Sequence, residues 1–167
     1  MSDVVRVFKE VNDVIPSKLL MIGDGPERPN IERLCRELEV CQEVRFLGKQ
    51  DAISEILAIS DIFLLPSANE SFGLAALEAM ACRVPVISSN IGGIPEVNEE
   101  GVTGFLSEVG DTREMAANTL KLLQNPELHE KFRRNAYKQA KRFDLEKILP
   151  SYEEYYQEII EKSKIST

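Results

Sequence analysis

Residues 61 to 96 read DIFLLPSANESFGLAALEAMACRVPVISSNIGGIPE, and the order of chemistry along them decides the fold. An apolar run from Asp61 to Leu65 enters a polar turn ending at Gly73. An almost wholly apolar segment to Ala81, a second apolar run from Val84 to Ser88, and a glycine turn at Gly92-Gly93 follow. Short apolar runs bounded by turn residues suit buried strands, and the Ala- and Leu-rich segment suits a helix over 73 to 81. The expected order is strand, loop, helix, strand, loop. Two carboxylates interrupt it: Glu70 in the loop before the helix, and Glu78 between Leu77 and Ala79. An ion among apolar neighbours calls for a partner.

Upstream, Val4, Val7, Phe8 and Val11 stand at helical spacing, so the chain opens in an amphipathic helix. Lys18 to Ile22 is an apolar run ending in Gly23-Asp24-Gly25-Pro26, a strand and turn. A helix with Ile31, Leu34, Cys35 and Leu38 on one face follows, then a strand from Val44 to Leu47 closed by Gly48, and a short helix from Ile53 to Ile59. Downstream, Gly104 to Leu106 reads as an edge strand. Three helices over about 112 to 124, 126 to 142 and 145 to 162 complete the chain, with Asp111-Thr112 and Asp144 as N-caps and Pro126 in a first turn. The last carries an apolar and aromatic stripe of Tyr152, Tyr155, Tyr156, Ile159 and Ile160, expected to pack on its own domain, with docking on something outside this chain as the alternative. Alternating strands and helices give βαβ units with right-handed crossovers: an α/β fold with a doubly wound parallel sheet. Residues 1–167 read as a single domain.

With 43% apolar and 29% charged residues, the composition is that of an ordinary globular protein. The net charge of -8 opposes nucleic-acid binding, which rests on Lys and Arg neutralising phosphates. No apolar run approaches the roughly 18 to 20 residues of a membrane span, and the first residues lack a basic, then apolar, leader. The expectation is a cytoplasmic chain without a membrane partner. Cys35, Cys41 and Cys82 are odd in number without paired spacing, so neither a disulfide framework nor a zinc site is expected. Carboxylates show no metal-ligand clustering. His129 is the only histidine and lies in a charged helical stretch, which leaves no Ser-His-Asp set.

In a doubly wound sheet, ligands bind beyond the carboxyl ends of the strands, which directs attention to loops 23 to 28, 48 to 52, 66 to 73 and 89 to 96. At Ser71-Phe72-Gly73-Leu74, free backbone N–H groups at a helix start would suit a phosphate or another anion. Glu78 lies about 7.5 Å further along that helix, where a carboxylate accepts hydrogen bonds from vicinal hydroxyls of a sugar. Taken singly, Glu78 reads equally as a solvent-facing helix residue and Glu70 as a polar loop or capping residue. Gly23-Asp24-Gly25 follows a strand, but Arg28 stands where a dinucleotide fingerprint wants its third glycine.

Glu70-Ser71-Phe72-Gly73 followed by Leu77-Glu78-Ala79-Met80 resembles the E-x7-E motif of the retaining glycosyltransferases with the GT-B fold (family 4, or group 1). The resemblance runs in family order through Gly23-Asp24-Gly25-Pro26-Glu27, Phe46-Leu47-Gly48, Ser60 to Ser67, Val84-Pro85-Val86-Ile87, Gly92-Gly93-Ile94-Pro95-Glu96 and Gly101-Val102-Thr103-Gly104. It implies a Rossmann-like C-terminal domain that binds the nucleoside diphosphate sugar, one part of a two-domain enzyme whose N-terminal acceptor domain lies outside this chain. It also implies that Glu78 holds the ribose hydroxyls and Glu70 positions the donor sugar. The backbone of the Ser71, Phe72, Gly73 and Leu74 loop would meet sugar and diphosphate, and Gly48 and Lys49 would border the nucleobase. No cofactor is implied. Both carboxylates act as clamps, the leaving phosphate itself taking the acceptor proton.

The wording IPSKLLMIGDGPE, FLGKQD and NESFGLAALEAMACRVPVI is similar to the N-acetylglucosaminyl malate synthase branch of bacillithiol formation. That branch implies UDP-N-acetylglucosamine as donor and L-malate as acceptor. The alternatives are a non-catalytic nucleotide-binding or scaffold domain and a GT-B nucleotide-sugar epimerase. Oligomeric state has no signature. Two departures stand out: the family's first strand and its basic pair for the diphosphate precede the helix in which this sequence opens, so the isolated chain is expected to fold without catalysing transfer. Arg83 also takes a place often held by Gly, where a left-handed backbone costs roughly 1 kcal/mol or more.

Overall fold

The computed structural model describes residues 2–165; Met1, Ser166 and Thr167 lie outside them. In chain order the elements are α1 (Ser2–Asn12), β1 (Leu19–Ile22), α2 (Arg28–Glu37), β2 (Val44–Gly48), α3 (Ile53–Ala58), β3 (Phe63–Leu65) and α4 (Leu74–Ala81). Then come β4 (Val86–Ser89), α5 (Ile94–Val97), β5 (Gly104–Ser107), α6 (Thr112–Leu123), α7 (Pro126–Ala140), a 3-10 turn (Lys141–Phe143) and α8 (Leu145–Ile165). The strands pair in parallel throughout, β1 with β2 and β3 with β4 with β5. A slot of about 980 Å³ lies between the Leu19–Ile22 and Phe63–Leu65 edges, so the sheet is in two parts.

Neighbouring residues of β4 show how the layers form. Val86 packs with Ala76, Ala79 and Met80 of α4, Leu57 of α3 and Ala136 of α7. Ile87, pointing the other way, packs with Val7 and Val11 of α1 and Met115, Ala116 and Leu122 of α6. Strand alternation thus sends two apolar sets into two helical layers, the doubly wound arrangement. A third cluster joins Val5 and Phe8 of α1 to Met21 of β1 and Ile31 and Cys35 of α2.

Local chemistry sets the element ends. Asp111 caps α6 by accepting from the Glu114 amide at 2.9 Å, and Asn125 caps α7 by accepting from the Leu128 amide at 3.0 Å. Helix α4 closes with the Val84 amide on the Ala79 carbonyl at 3.0 Å and the Arg83 amide on the Met80 carbonyl at 2.9 Å, a Schellman stop. Arg83 has φ +64°, so the turn keeps the left-handed shape despite its non-glycine residue. Its guanidinium lies 4.9 Å above the Tyr137 ring, an attraction worth about 0.5 to 1 kcal/mol that offsets the backbone cost.

Two expectations are corrected. The 89 to 96 segment is a loop only to Gly93, because Ile94–Val97 forms the helical turn α5 with Pro95 in its first turn, where proline's fixed φ is favourable. The stripe on α8 does not pack on the body: Tyr152, Tyr155, Tyr156, Ile159 and Ile160 are all exposed. Among those residues no helix is long and apolar enough to cross a membrane, and no group of His, Cys, Asp or Glu could hold a metal ion.

Candidate functional site

Between β3 and α4 the chain runs through Pro66 to Gly73 as a loop, and Gly73 caps the helix with φ +92°. Glycine is required there because an L side chain rarely tolerates that backbone. The Glu70 carboxylate turns back on its own loop: Oε1 accepts the Ser71 amide at 3.1 Å and the Gly73 amide at 3.2 Å. It thereby satisfies donors at the helix start and places negative charge at the positive end of the dipole. The expected row of free N–H groups is therefore shorter than the sequence suggested. Ser71 and Gly73 are occupied, while the amides of Phe72, Leu74 and Ala75 have no internal acceptor.

The glycine turn after β4 locks this loop from the other side. A Cβ built on Gly92 would lie 1.8 Å from the Glu70 carbonyl oxygen, and one on Gly93 would lie 2.6 Å from that of Ser71. The two backbones meet at a separation that only glycines permit. Behind them, the fully buried Asn98 at the end of α5 donates to the Val86 carbonyl at 3.2 Å, the Ser88 hydroxyl at 2.8 Å and the Phe105 carbonyl at 3.3 Å. Its Oδ1 accepts from the Thr103 hydroxyl at 2.9 Å. This network ties α5, and with it the glycine turn, to β4 and β5.

Helix α4 sorts its residues by face. Ala76, Ala79 and Met80 are buried against the sheet, whereas Leu74 and Glu78, one turn apart, are exposed. Water solvates Glu78, so the ion needs no protein partner. Leu74, 66% exposed, leaves an apolar side chain beside the free amides. Phe72 points away from that face and packs edge-on against Phe143, with ring centroids 5.8 Å apart, so it offers the loop side only its backbone.

Gly48 and Lys49 form a second locus. The Gly23 amide donates to the Gly48 carbonyl at 2.8 Å, joining the turns after β1 and β2. Lys49 is exposed, and no ion pair involving it occurs among the described residues. Glu70, Ser71, Phe72, Gly73 and Leu74 are thus brought together with Gly92 and Gly93, while Gly48 and Lys49 gather with Gly23. No hydrogen bond among the described residues joins the two groups. The capping by Glu70 is one of the roles its place in the sequence allows, whereas the Asn98 network escapes a sequence reading. A Glu three residues before a glycine cap is the one available signal for the first, and an Asn beside Val97 gives none for the second.

Residues 1–139 match the family described as glycosyl transferases group 1. The chain belongs to the group 1 glycosyl transferases. Across 166 residues, 97% of its length, this glycosyl transferase chain is 46% identical to N-acetyl-alpha-D-glucosaminyl L-malate synthase of Bacillus anthracis, covering 43% of that protein. It is 34% identical over 140 residues to D-inositol 3-phosphate glycosyltransferase of Saccharomonospora viridis, covering 32% of it. Among solved structures, sucrose-phosphate synthase from Thermosynechococcus elongatus superposes with a TM-score of 0.87 at 26% identity, over 96% of this chain and 42% of that one. Anabaena Alr3699/HepE in complex with UDP gives 0.85 at 26%, over 92% and 44%. The group 1 chain therefore spans less than half the length of the relatives it matches, with the α/β architecture of GT-B glycosyltransferases.

Proposed function

We propose that these residues bind the nucleoside diphosphate sugar of a retaining glycosyltransferase. The observation that carries this reading is the start of α4, where the Phe72, Leu74 and Ala75 amides lack acceptors and Glu78 stands exposed one turn beyond Leu74. Donor phosphate oxygens take the amides, where the helix dipole stabilises negative charge as it grows on the leaving group. The ribose hydroxyls donate to Glu78. Glu70 holds the loop in shape from within and positions the donor sugar, while Gly48 and Lys49 border the base. None of these groups is placed as a nucleophile.

UDP in the solved relative and the chemistry named in the malate synthase support UDP-N-acetylglucosamine as the donor, with L-malate as the acceptor of the complete enzyme. The relatives extend well beyond the matched region, and this reading puts the acceptor-binding groups of the complete enzyme there. Calorimetric titration with UDP, UDP-N-acetylglucosamine and NAD tests the reading. The expected order is binding of both uridine compounds and none of NAD, with Glu78→Gln weakening the former about tenfold, the loss of one charge-assisted hydrogen bond. Equal affinity for NAD, or an unchanged affinity in Glu78→Gln, overturns it.

A further inference from the structure

Away from the loop before α4, a recess of about 510 Å³ lies where α5, the end of α7 and the start of α8 meet, a volume in the range of small-ligand pockets. Pro95, Phe143 and Ile148 give it an apolar wall, and Glu96, Glu99 and Arg142 stand around it. These charges are not neutralised internally. Among the described residues neither carboxylate makes a hydrogen bond or an ion pair, and no carboxylate pairs with Arg142. What holds the guanidinium is an amide: Arg142 Nη1 donates to Gln139 Oε1 at 3.0 Å, and Gln139 Nε2 donates to the Glu96 carbonyl at 3.3 Å. Gln139 is only 8% exposed. A buried amide has to satisfy both of its ends, and this one does so by fixing the direction of a charged fork at the recess. A guanidinium oriented in advance binds a carboxylate through two parallel hydrogen bonds.

We propose that this recess binds a free α-amino acid with an apolar side chain. The ligand carboxylate takes Arg142, its ammonium sits with Glu96 and Glu99, and its side chain lies on Pro95, Phe143 and Ile148. A ligand of one sign would leave the opposite charge of the recess unmatched, whereas a zwitterion serves both. Occupancy also reaches the loop before α4. The Phe143 ring that walls the recess packs edge-on against Phe72, with centroids 5.8 Å apart, and the Phe72 amide is one of the three without an acceptor at the helix start. The amino-acid site stands independently of the donor reading; a change in donor affinity through this link rests on it.

Heteronuclear NMR titration of the 167-residue chain with L-leucine tests this. The Arg142 side-chain Nε–H and the Phe143 and Phe72 amides shift along one saturation curve. Leucinamide, which lacks the carboxylate, and isocaproate, which lacks the ammonium, each bind about tenfold more weakly. Arg142→Gln, and Glu96→Gln combined with Glu99→Gln, act at exposed positions and leave the fold intact, which a thermal melt checks. Each weakens leucine binding about tenfold. No saturable shift with leucine, equal affinity for either derivative, or unchanged affinity in either variant overturns the site. A Phe72 amide that stays still while Arg142 and Phe143 titrate overturns the link to the loop.

Discussion

Gly92 and the Glu70 carbonyl oxygen are in backbone contact: a Cβ on Gly92 would sit 1.8 Å from that oxygen. With φ at +56°, the residue is also in a region that penalises any side chain. Gly92→Ala must therefore move either the loop before α4 or the turn after β4. The expected loss is about 2 to 4 kcal/mol, from overpacking and left-handed strain together. Urea denaturation measures it; a loss below about 0.5 kcal/mol, the range of neutral surface changes, refutes the contact.

Glu70 acts as an internal cap, so its removal should register in stability as well as in ligand affinity. Glu70→Ala loses both amide contacts and costs about 1 kcal/mol. Glu70→Gln keeps an acceptor oxygen and loses only the charge at the dipole, about 0.3 to 1 kcal/mol. Equal stability of the wild type and the alanine variant in thermal melts would show that the amides are equally well served by water.

Two non-glycine residues take left-handed stops, Glu39 at φ +58° and Arg83 at φ +64°, and they should answer glycine differently. Glu39 has no ring contact, so Glu39→Gly relieves strain and stabilises by about 1 kcal/mol. Arg83→Gly relieves the same strain but forfeits the stacking on Tyr137, leaving a net change within about 0.5 kcal/mol. Chemical denaturation of both variants side by side checks the contrast, and a larger gain at Arg83 would deny the stacking its role.

The cysteines differ in environment: Cys35 is buried, Cys82 half-buried and Cys41 exposed. Burial, reinforced by Cys41 and Glu32, pushes the Cys35 thiol up. A neutral thiol is the unreactive form, so a thiol reagent at mild alkaline pH should label Cys41 first and Cys35 only on unfolding. Because the folded state holds that proton more tightly than the unfolded chain, stability at this site falls as pH rises above about 8.5. Cys35→Ser removes that dependence; an unchanged alkaline slope would place its origin elsewhere.

The stretch from Asp61 to Gly93 was legible because each signal was redundant: apolar runs of strand length, a glycine at each backbone approach, and a helix whose small residues match its buried face. The role of Glu70 was half legible. Its place beside the helix start follows from spacing, but its choice of the Ser71 and Gly73 amides depends on loop shape, which no residue pattern encodes. For Glu78 the sequence leaves a solvent-facing residue and a ligand-holding one equally open, since an alanine-rich helix shows no clear polar face by which to orient it; the structure exposes it. Pro95 disguised α5, because proline marks a turn and a helix start alike. The α8 stripe invited a packing expectation from its pattern, yet a pattern tells that a face is apolar and says nothing of what lies opposite.

Helix α1 stands across the divide in the sheet. Val5 and Phe8 belong to the cluster around Met21 of β1, whereas Val7 and Val11 belong to the one around Ile87 of β4. Among the described residues no ladder of hydrogen bonds joins the two strand groups, so their cooperativity is borne by side chains, with this helix as a coupling element. Local opening of α1 would release both cores together, making the first eleven helical residues a point at which global unfolding begins and not a fraying end.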